Sequence, residues 1–211
     1  MTYNALNFSD NDGDRAGYFQ TVFDSVNADL ILLQEMIDEG GCDTLLNRLN
    51  AQGEEYARAE FINGYDTDNI LFFRTSKCSL ISQNNLQTDL RDISEYVLLV
   101  NYDTIRFYSC HFKASQGSSN EQQRLQEATR LRRYLNDSIP ADAEFIIAGD
   151  MNFYYDEPAY YKFIGDETNN NGRSRDPLEQ PGNWHDNLSY ADIHTQSTRD
   201  TSFGGGASGG L

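Results

Sequence analysis

The run Ala28-Asp29-Leu30-Ile31-Leu32-Leu33-Gln34-Glu35 constrains the fold of this chain more than any other segment. Four branched apolar residues in a row, with no polar residue at alternate positions, belong to a strand covered on both faces. Upstream, residues 14–26 carry Ala16, Phe19, Val22, Phe23 and Val26 at helical spacing, and residues 2–8 alternate loosely as a strand. Strand, helix, buried strand is the opening of a layered α/β domain. With 211 residues, 38% of them hydrophobic, the chain can bury one sizeable core but not two full domains.

The pattern predicts a second helix at residues 42–49, striped by Leu45, Leu46 and Leu49. Short strands are then expected at residues 70–74, 79–82, 96–102 and 105–112, with Asn101-Tyr102-Asp103-Thr104 as the hairpin connection between the last two. Ser119 with Gln122 reads as a capping box opening a long helix. Leu125, Ala128, Leu131 and Leu135 form its buried stripe, leaving Arg124, Arg130, Arg132 and Arg133 on its solvated side. Pro140 stops it, and Phe145-Ile146-Ile147-Ala148 forms another strand. Residues 158–163 read as a short helix and 166–187 as a long polar loop holding Trp184 and His185. A domain over residues 1–203 then leads into a glycine-rich tail or connection at 204–211.

Charge narrows the range of partners. The formal net charge is −17, from 33 acidic and 16 basic residues. Such a surface repels polyanions at long range and argues against a protein that grips nucleic acid by charge alone. It leaves room for an enzyme that screens its site with a divalent ion. No apolar run reaches membrane-spanning length, and no basic segment followed by an apolar one marks a signal peptide at the N-terminus. Cys110 reads as a small buried residue; Cys42 and Cys78 are either free or bridged, which leaves the redox compartment open. Asp10-Asn11-Asp12-Gly13-Asp14 has the start of a calcium loop, but Arg15 stands where that loop needs glycine and Thr21 where it needs glutamate. A turn and helix cap is the expectation there.

Polar residues gather at the ends of the buried strands, where layered α/β folds assemble their chemistry. Asn4 and Asn7 lie in the first strand, Gln34-Glu35 ends the second, His111 follows Phe107-Tyr108-Ser109-Cys110, and Gly149-Asp150-Met151-Asn152 follows the Phe145 strand. A glutamate straight after Leu30-Ile31-Leu32-Leu33 is costly to bury unless something pairs with it, and a hard cation is one such partner. Glycine permits the sharp turn at 149, after which a carboxylate and a carboxamide leave the chain from nearly one spot. His185 and His194 read as loop histidines.

Thr2-Tyr3-Asn4, Leu33-Gln34-Glu35, Ser109-Cys110-His111-Phe112-Lys113 and Ala148-Gly149-Asp150-Met151-Asn152, in that order and each at a strand, resemble the endonuclease/exonuclease/phosphatase superfamily. That group includes pancreatic deoxyribonuclease, abasic-site endonucleases, neutral sphingomyelinases and inositol polyphosphate 5-phosphatases. The resemblance covers essentially the whole chain. It implies an α/β fold, a four-layer α/β/β/α sandwich of two mixed sheets of the deoxyribonuclease type. It further implies metal-dependent hydrolysis of phosphate esters, most simply by a nuclease-like phosphodiesterase using Mg²⁺, with Mn²⁺ or Ca²⁺ as substitutes. By position, Glu35 matches the principal metal ligand and Asn4 the asparagine beside metal and phosphate, with Asn7 its weaker rival. His111 matches the histidine that contacts the phosphate and can protonate the leaving oxygen, Asp150 the aspartate that orients water, and Asn152 the amide on the phosphoryl oxygen. A monomer acting on a phosphate-ester substrate, nucleic acid among the candidates, follows from the same resemblance, which also favours a secreted or periplasmic protein.

One departure stands out. The family ends with another aspartate-bearing strand and a Ser-Asp-His motif; neither is in these 211 residues, and Asp192-Ile193-His194 does not supply it. The fold is therefore expected to lack its last strands. A catalytically silent truncated domain, a binding module, or a phosphatase of a small phosphorylated substrate are the alternative readings.

Overall fold

The computed structural model describes residues 1–53 and 55–194; the glycine tract at 204–211 lies outside the described residues. Among the described residues, eight strands fall into two sheets of four. The first comprises β1 (Thr2–Phe8), β2 (Leu30–Met36), β3 (Tyr56–Arg58) and β4 (Asp68–Arg74), in the order β1-β2-β4-β3. The second comprises β5 (Cys78–Leu86), β6 (Ile93–Val100), β7 (Asp103–His111) and β8 (Glu144–Asp150), in chain order. Each sheet mixes one parallel pair, β1 with β2 and β7 with β8, with two antiparallel ones.

The sheets meet face to face, and helices cover both outer faces. Helices α1 (Ala16–Val26) and α2 (Glu39–Leu49) pack on the first sheet through Phe19, Phe23, Leu45 and Leu49. That core continues between the sheets, where Tyr96, Leu98 and Phe107 point inward from β6 and β7. The alternate residues Tyr108 and Cys110 face out, onto α3 (Ser118–Asp137) and α4 (Pro158–Ile164) with Ala128, Leu131, Leu135 and Phe163. These are the four layers expected from the sequence.

Several element bounds differ from the sequence reading, each for a local reason. Strand β5 runs on to Leu86 because Ser82, Gln83, Asn84 and Asn85 pair with β6 despite their polarity. The three-residue edge strand β3 gives too short a pattern to see. Helix α2 starts at Glu39, since Asp38 Oδ1 caps the Gly41 amide at 2.7 Å and holds two glycines in the first turn. Helix α3 opens at Ser118 from Gly117, whose φ is 108°, so the Ser119 capping box does not form. The hairpin at Asn101-Tyr102 is present, with Val100 opposite Asp103.

One correction concerns side chains. Arg124 and Arg132 are fully buried rather than solvated. Arg124 falls in the same stripe as Ala128, Leu131 and Leu135, and its charge is met by Glu157 at 2.8 Å. Arg132 donates to the Phe163 carbonyl at 2.8 Å and to Asn170 at 2.9 Å. All three cysteines are free and buried, so Cys42 and Cys78 are not bridged. Burial raises the pKa of each thiol, which leaves them inert apolar residues.

Candidate active site

The parallel pairs bring the polar strand ends to one edge of the sandwich. Asn4 stands opposite Gln34 on β1 and β2, and His111 opposite Asp150 on β7 and β8. On the first sheet the backbone then departs from regular pairing, whereas β7 and β8 stay in register through His111 and Asp150. The β1–β2 register shifts between Asn4 and Phe8, and the β2–β4 register between Leu33 and Met36. Leu6, Asn7, Glu35 and Asn152 all have left-handed φ, between 51° and 61°. Such conformations cost a non-glycine residue roughly 1–3 kcal/mol and gather at functional sites. Here they re-aim side chains as bulges do, turning Glu35 out of its strand toward Asn4.

The kink at Leu6-Asn7 frees carbonyls that Arg15 satisfies. Its guanidinium donates to Ala5 O at 2.6 Å and to Leu6 O at 3.1 Å, and pairs with Asp12. Asp12 in turn accepts from the Ser9 amide and hydroxyl, so the acidic segment at 10–14 is a capped turn as the sequence predicts. At β8, Gly149 has φ 134°, and a Cβ there would stand 2.1 Å from the Cys110 carbonyl oxygen. Glycine is required at this close approach, which seats Asp150 beside His111.

Asn4 is the hub. Its Nδ2 donates to Glu35 Oε1 at 2.7 Å and to Asp150 Oδ2 at 3.0 Å, joining the two sheets through one amide. Its oxygen is committed to the Leu6 amide at 2.8 Å, so only the NH₂ group faces the carboxylates. Glu35 Oε2 accepts from the Asn7 backbone at 3.2 Å; Asn7 enters through its amide while its side chain is exposed. His111 Nε2 lies 3.5 Å from Glu35 Oε1. The ring is buried, and its Nδ1 has no partner among the described residues. Burial first, then the positive charge of Arg91, lowers its pKa against the opposing pull of Asp150 and Glu35. The imidazole is therefore neutral at neutral pH. Asn152 completes the group: its amide N–H donates to Asp150 Oδ1 at 3.1 Å, and its Nδ2 to Phe112 O at 3.0 Å, which leaves the second Nδ2 hydrogen free.

All five residues singled out from the sequence thus share one constellation. Among the described residues no cluster of three His, Cys, Asp or Glu side chains is arranged to hold a metal. The donor set nevertheless suits Mg²⁺, which keeps several waters and takes only one or two carboxylates together with substrate oxygens. Glu35 and Asp150, bracketed by one amide, supply those two carboxylates. His185 and His194 stand apart; His185 packs edge-on against Tyr154 at 4.9 Å and lies 3.3 Å from Asp186.

Sequence reasoning missed the residues that brace this group. Behind it, Gln34 donates to Ser109 Oγ at 3.0 Å, and Ser109 to Asn69 Oδ1 at 3.2 Å, a buried polar chain between the sheets. Arg124 grips Glu157 with two hydrogen bonds of 2.8 and 3.0 Å, and the Lys113 and Ser115 carbonyls at 2.8 and 2.9 Å. Glu127 accepts from the Lys113 amide at 3.0 Å. The position of Arg124 in an apolar stripe was the available signal; a charged residue there must carry buried partners.

Comparison with known proteins places this geometry in a family. A profile of the Endonuclease/Exonuclease/phosphatase family matches residues 1–207. No curated protein matches the chain. Among solved structures, a humanized D. rerio TDP2 superposes with a TM-score of 0.56 at 19% identity, over 72% of this chain and 65% of that one. An endonuclease/exonuclease/phosphatase family protein from Bacteroides thetaiotaomicron gives 0.59 at 16% identity, over 77% and 66%. Beta toxin from Staphylococcus aureus gives 0.60 at 14% identity, over 78% and 71%. The chain thus spans slightly less than two thirds of the D. rerio and Bacteroides structures, and identities this low establish the fold alone. The profile match covers nearly the whole chain and agrees with the four strand-end motifs: this chain belongs to the Endonuclease/Exonuclease/phosphatase family.

Proposed function

We propose that the chain is a metal-dependent hydrolase of phosphate esters, a nuclease-like phosphodiesterase. The observation that carries this reading is the Asn4 amide held between Glu35 and Asp150, with His111 alongside. Two carboxylates so close repel each other and gain from a cation between them and the substrate. In this reading Glu35 is the principal ligand for Mg²⁺, with Mn²⁺ or Ca²⁺ as substitutes, and Asn4 fixes its carboxylate through the NH₂ group. Bound there, the ion supplies positive charge against the phosphate.

The remaining work falls to the protein. Asp150 orients the attacking water toward phosphorus; Asn4 and the Asn152 amide hold that carboxylate in place. The free Asn152 Nδ2 hydrogen donates to a phosphoryl oxygen. His111, neutral and buried, donates from its ring to the phosphate or the leaving oxygen. Nucleic acid is the favoured substrate class, since a structural neighbour is D. rerio TDP2 complexed with single strand DNA product.

A hydrolysis panel of DNA, RNA, a simple phosphodiester and inositol phosphates, with and without Mg²⁺, tests this. Turnover is expected on a phosphodiester only with the metal, and Glu35→Ala and His111→Ala should each lower it by about 10²-fold or more. Full activity of Glu35→Ala with Mg²⁺ would refute the metal assignment. Binding without hydrolysis of any member would instead favour a silent binding module.

A further inference from the structure

Among the described residues, Arg91 is the one arginine bordering this site whose donors are mostly unspent. Arg15 and Arg124 are each committed to backbone carbonyls and a carboxylate. Arg91 makes a single long hydrogen bond, Nη1 to Phe112 O at 3.4 Å. Its Nε stands 2.9 Å from Asp66 Oδ2, yet the approach is not aligned as a hydrogen bond. A guanidinium carries five N–H donors, so most of this one's have no acceptor among the described residues.

Its position matters as much. Arg91 stands two residues before β6, which runs antiparallel to β7, and so lies at the His111 end of the sheet. The Phe112 carbonyl it touches is the one that accepts from Asn152 Nδ2. Its backbone is also pinned: the Arg91 carbonyl accepts from Thr88 Oγ1 at 2.8 Å, and the next carbonyl, of Asp92, from Asn69 at 3.0 Å. Arg91 is thus a fixed, mostly covered cation in a chain of net charge −17, set against the same carbonyl that anchors Asn152. Asp66, its partner, is exposed, and its carboxylate accepts no hydrogen bond among the described residues.

We propose that Arg91 holds a second phosphate of the substrate, adjacent to the one being cleaved, and that Asp66 occupies its guanidinium until that phosphate displaces it. Arginine suits the task because its planar fork meets two phosphate oxygens at once. The inference rests on the phosphoesterase reading, and it narrows the substrate to one carrying two neighbouring phosphates, whether within a strand or at its end.

Calorimetric binding of thymidine 3′,5′-bisphosphate and thymidine 5′-phosphate to the 211-residue chain, in Ca²⁺ and with no turnover required, tests it. The wild type is expected to bind the bisphosphate about tenfold or more tightly than the monophosphate. Arg91→Gln should remove that preference, and Arg91→Lys should retain part of it. Asp66→Asn should tighten bisphosphate binding severalfold, an outcome that misfolding cannot mimic. No binding by the wild type, equal affinities for the two ligands, or a bisphosphate affinity unchanged in Arg91→Gln would overturn the assignment. Loss in Arg91→Gln without gain in Asp66→Asn would overturn the displacement. Because the readout is binding, it stands or falls separately from the hydrolysis panel.

Discussion

Glu127 sits at 3% exposure beneath the segment that follows His111, with one oxygen on the Lys113 amide and the other without a partner among the described residues. Burial pushes its carboxyl up to about 7 from an ordinary 4.5, although Arg91, Arg124 and Lys113 pull the other way. The folded protein therefore keeps this proton up to about pH 7, while the unfolded chain releases it near 4.5. Stability from this group is full below 4.5 and is lost as pH rises through 7. Glu127→Gln keeps the acceptor for Lys113 and should raise stability by roughly 1–2 kcal/mol at pH 8, with little change at pH 4.5. Urea denaturation at the two pH values checks this. Gly149 makes a second residue-scale prediction. Because a Cβ would meet the Cys110 carbonyl at 2.1 Å, Gly149→Ala should cost on the order of 2–4 kcal/mol and displace Asp150. From the sequence this glycine reads as a turn that ends the strand. Strand β8 instead runs on through Asp150 with Gly149 inside it, and the contact that demands glycine comes from the neighbouring strand.

At the scale of elements, the Arg124–Glu157 pair ties α3 to the start of α4, with both side chains fully buried. Removing one partner of such a pair strands the other charge and costs about 3–5 kcal/mol, whereas replacing both with apolar groups is often nearly neutral. Arg124→Ala should lose stability by that amount, and Arg124→Met with Glu157→Leu should recover most of it, as denaturation midpoints will show. The double variant should still turn over more slowly, since the guanidinium also holds the Lys113 and Ser115 carbonyls beyond His111. The long strands and helices were legible because their apolar spacing is set by the layers they face. Strand β3 and the polar half of β5 were not, because their pairing is carried by backbone hydrogen bonds that leave no mark on side-chain polarity. Arg124 and Arg132 were misread for a related reason: periodicity separates apolar from polar, and a buried ion pair belongs to both.

At the scale of the whole molecule, the site exists only because two sheets meet. Asn4 and Glu35 come from one sheet, His111 and Asp150 from the other, and the Asn4–Asp150 bond spans most of the described chain. The sequence could name all five residues because each follows or interrupts a recognisable strand. It could not reveal the left-handed turns at Leu6, Asn7 and Glu35 that aim them at one another, since leucine and glutamate rarely adopt such angles and asparagine adopts several conformations. A divalent ion bound at this junction through Glu35 is measured by titration with Mn²⁺, followed as loss of the free-ion signal in electron paramagnetic resonance. One site is expected in the wild type, weakened tenfold or more in Glu35→Ala and unchanged in Asp10→Asn, which alters only the acidic turn. Equal Mn²⁺ binding by wild type and Glu35→Ala would contradict the account.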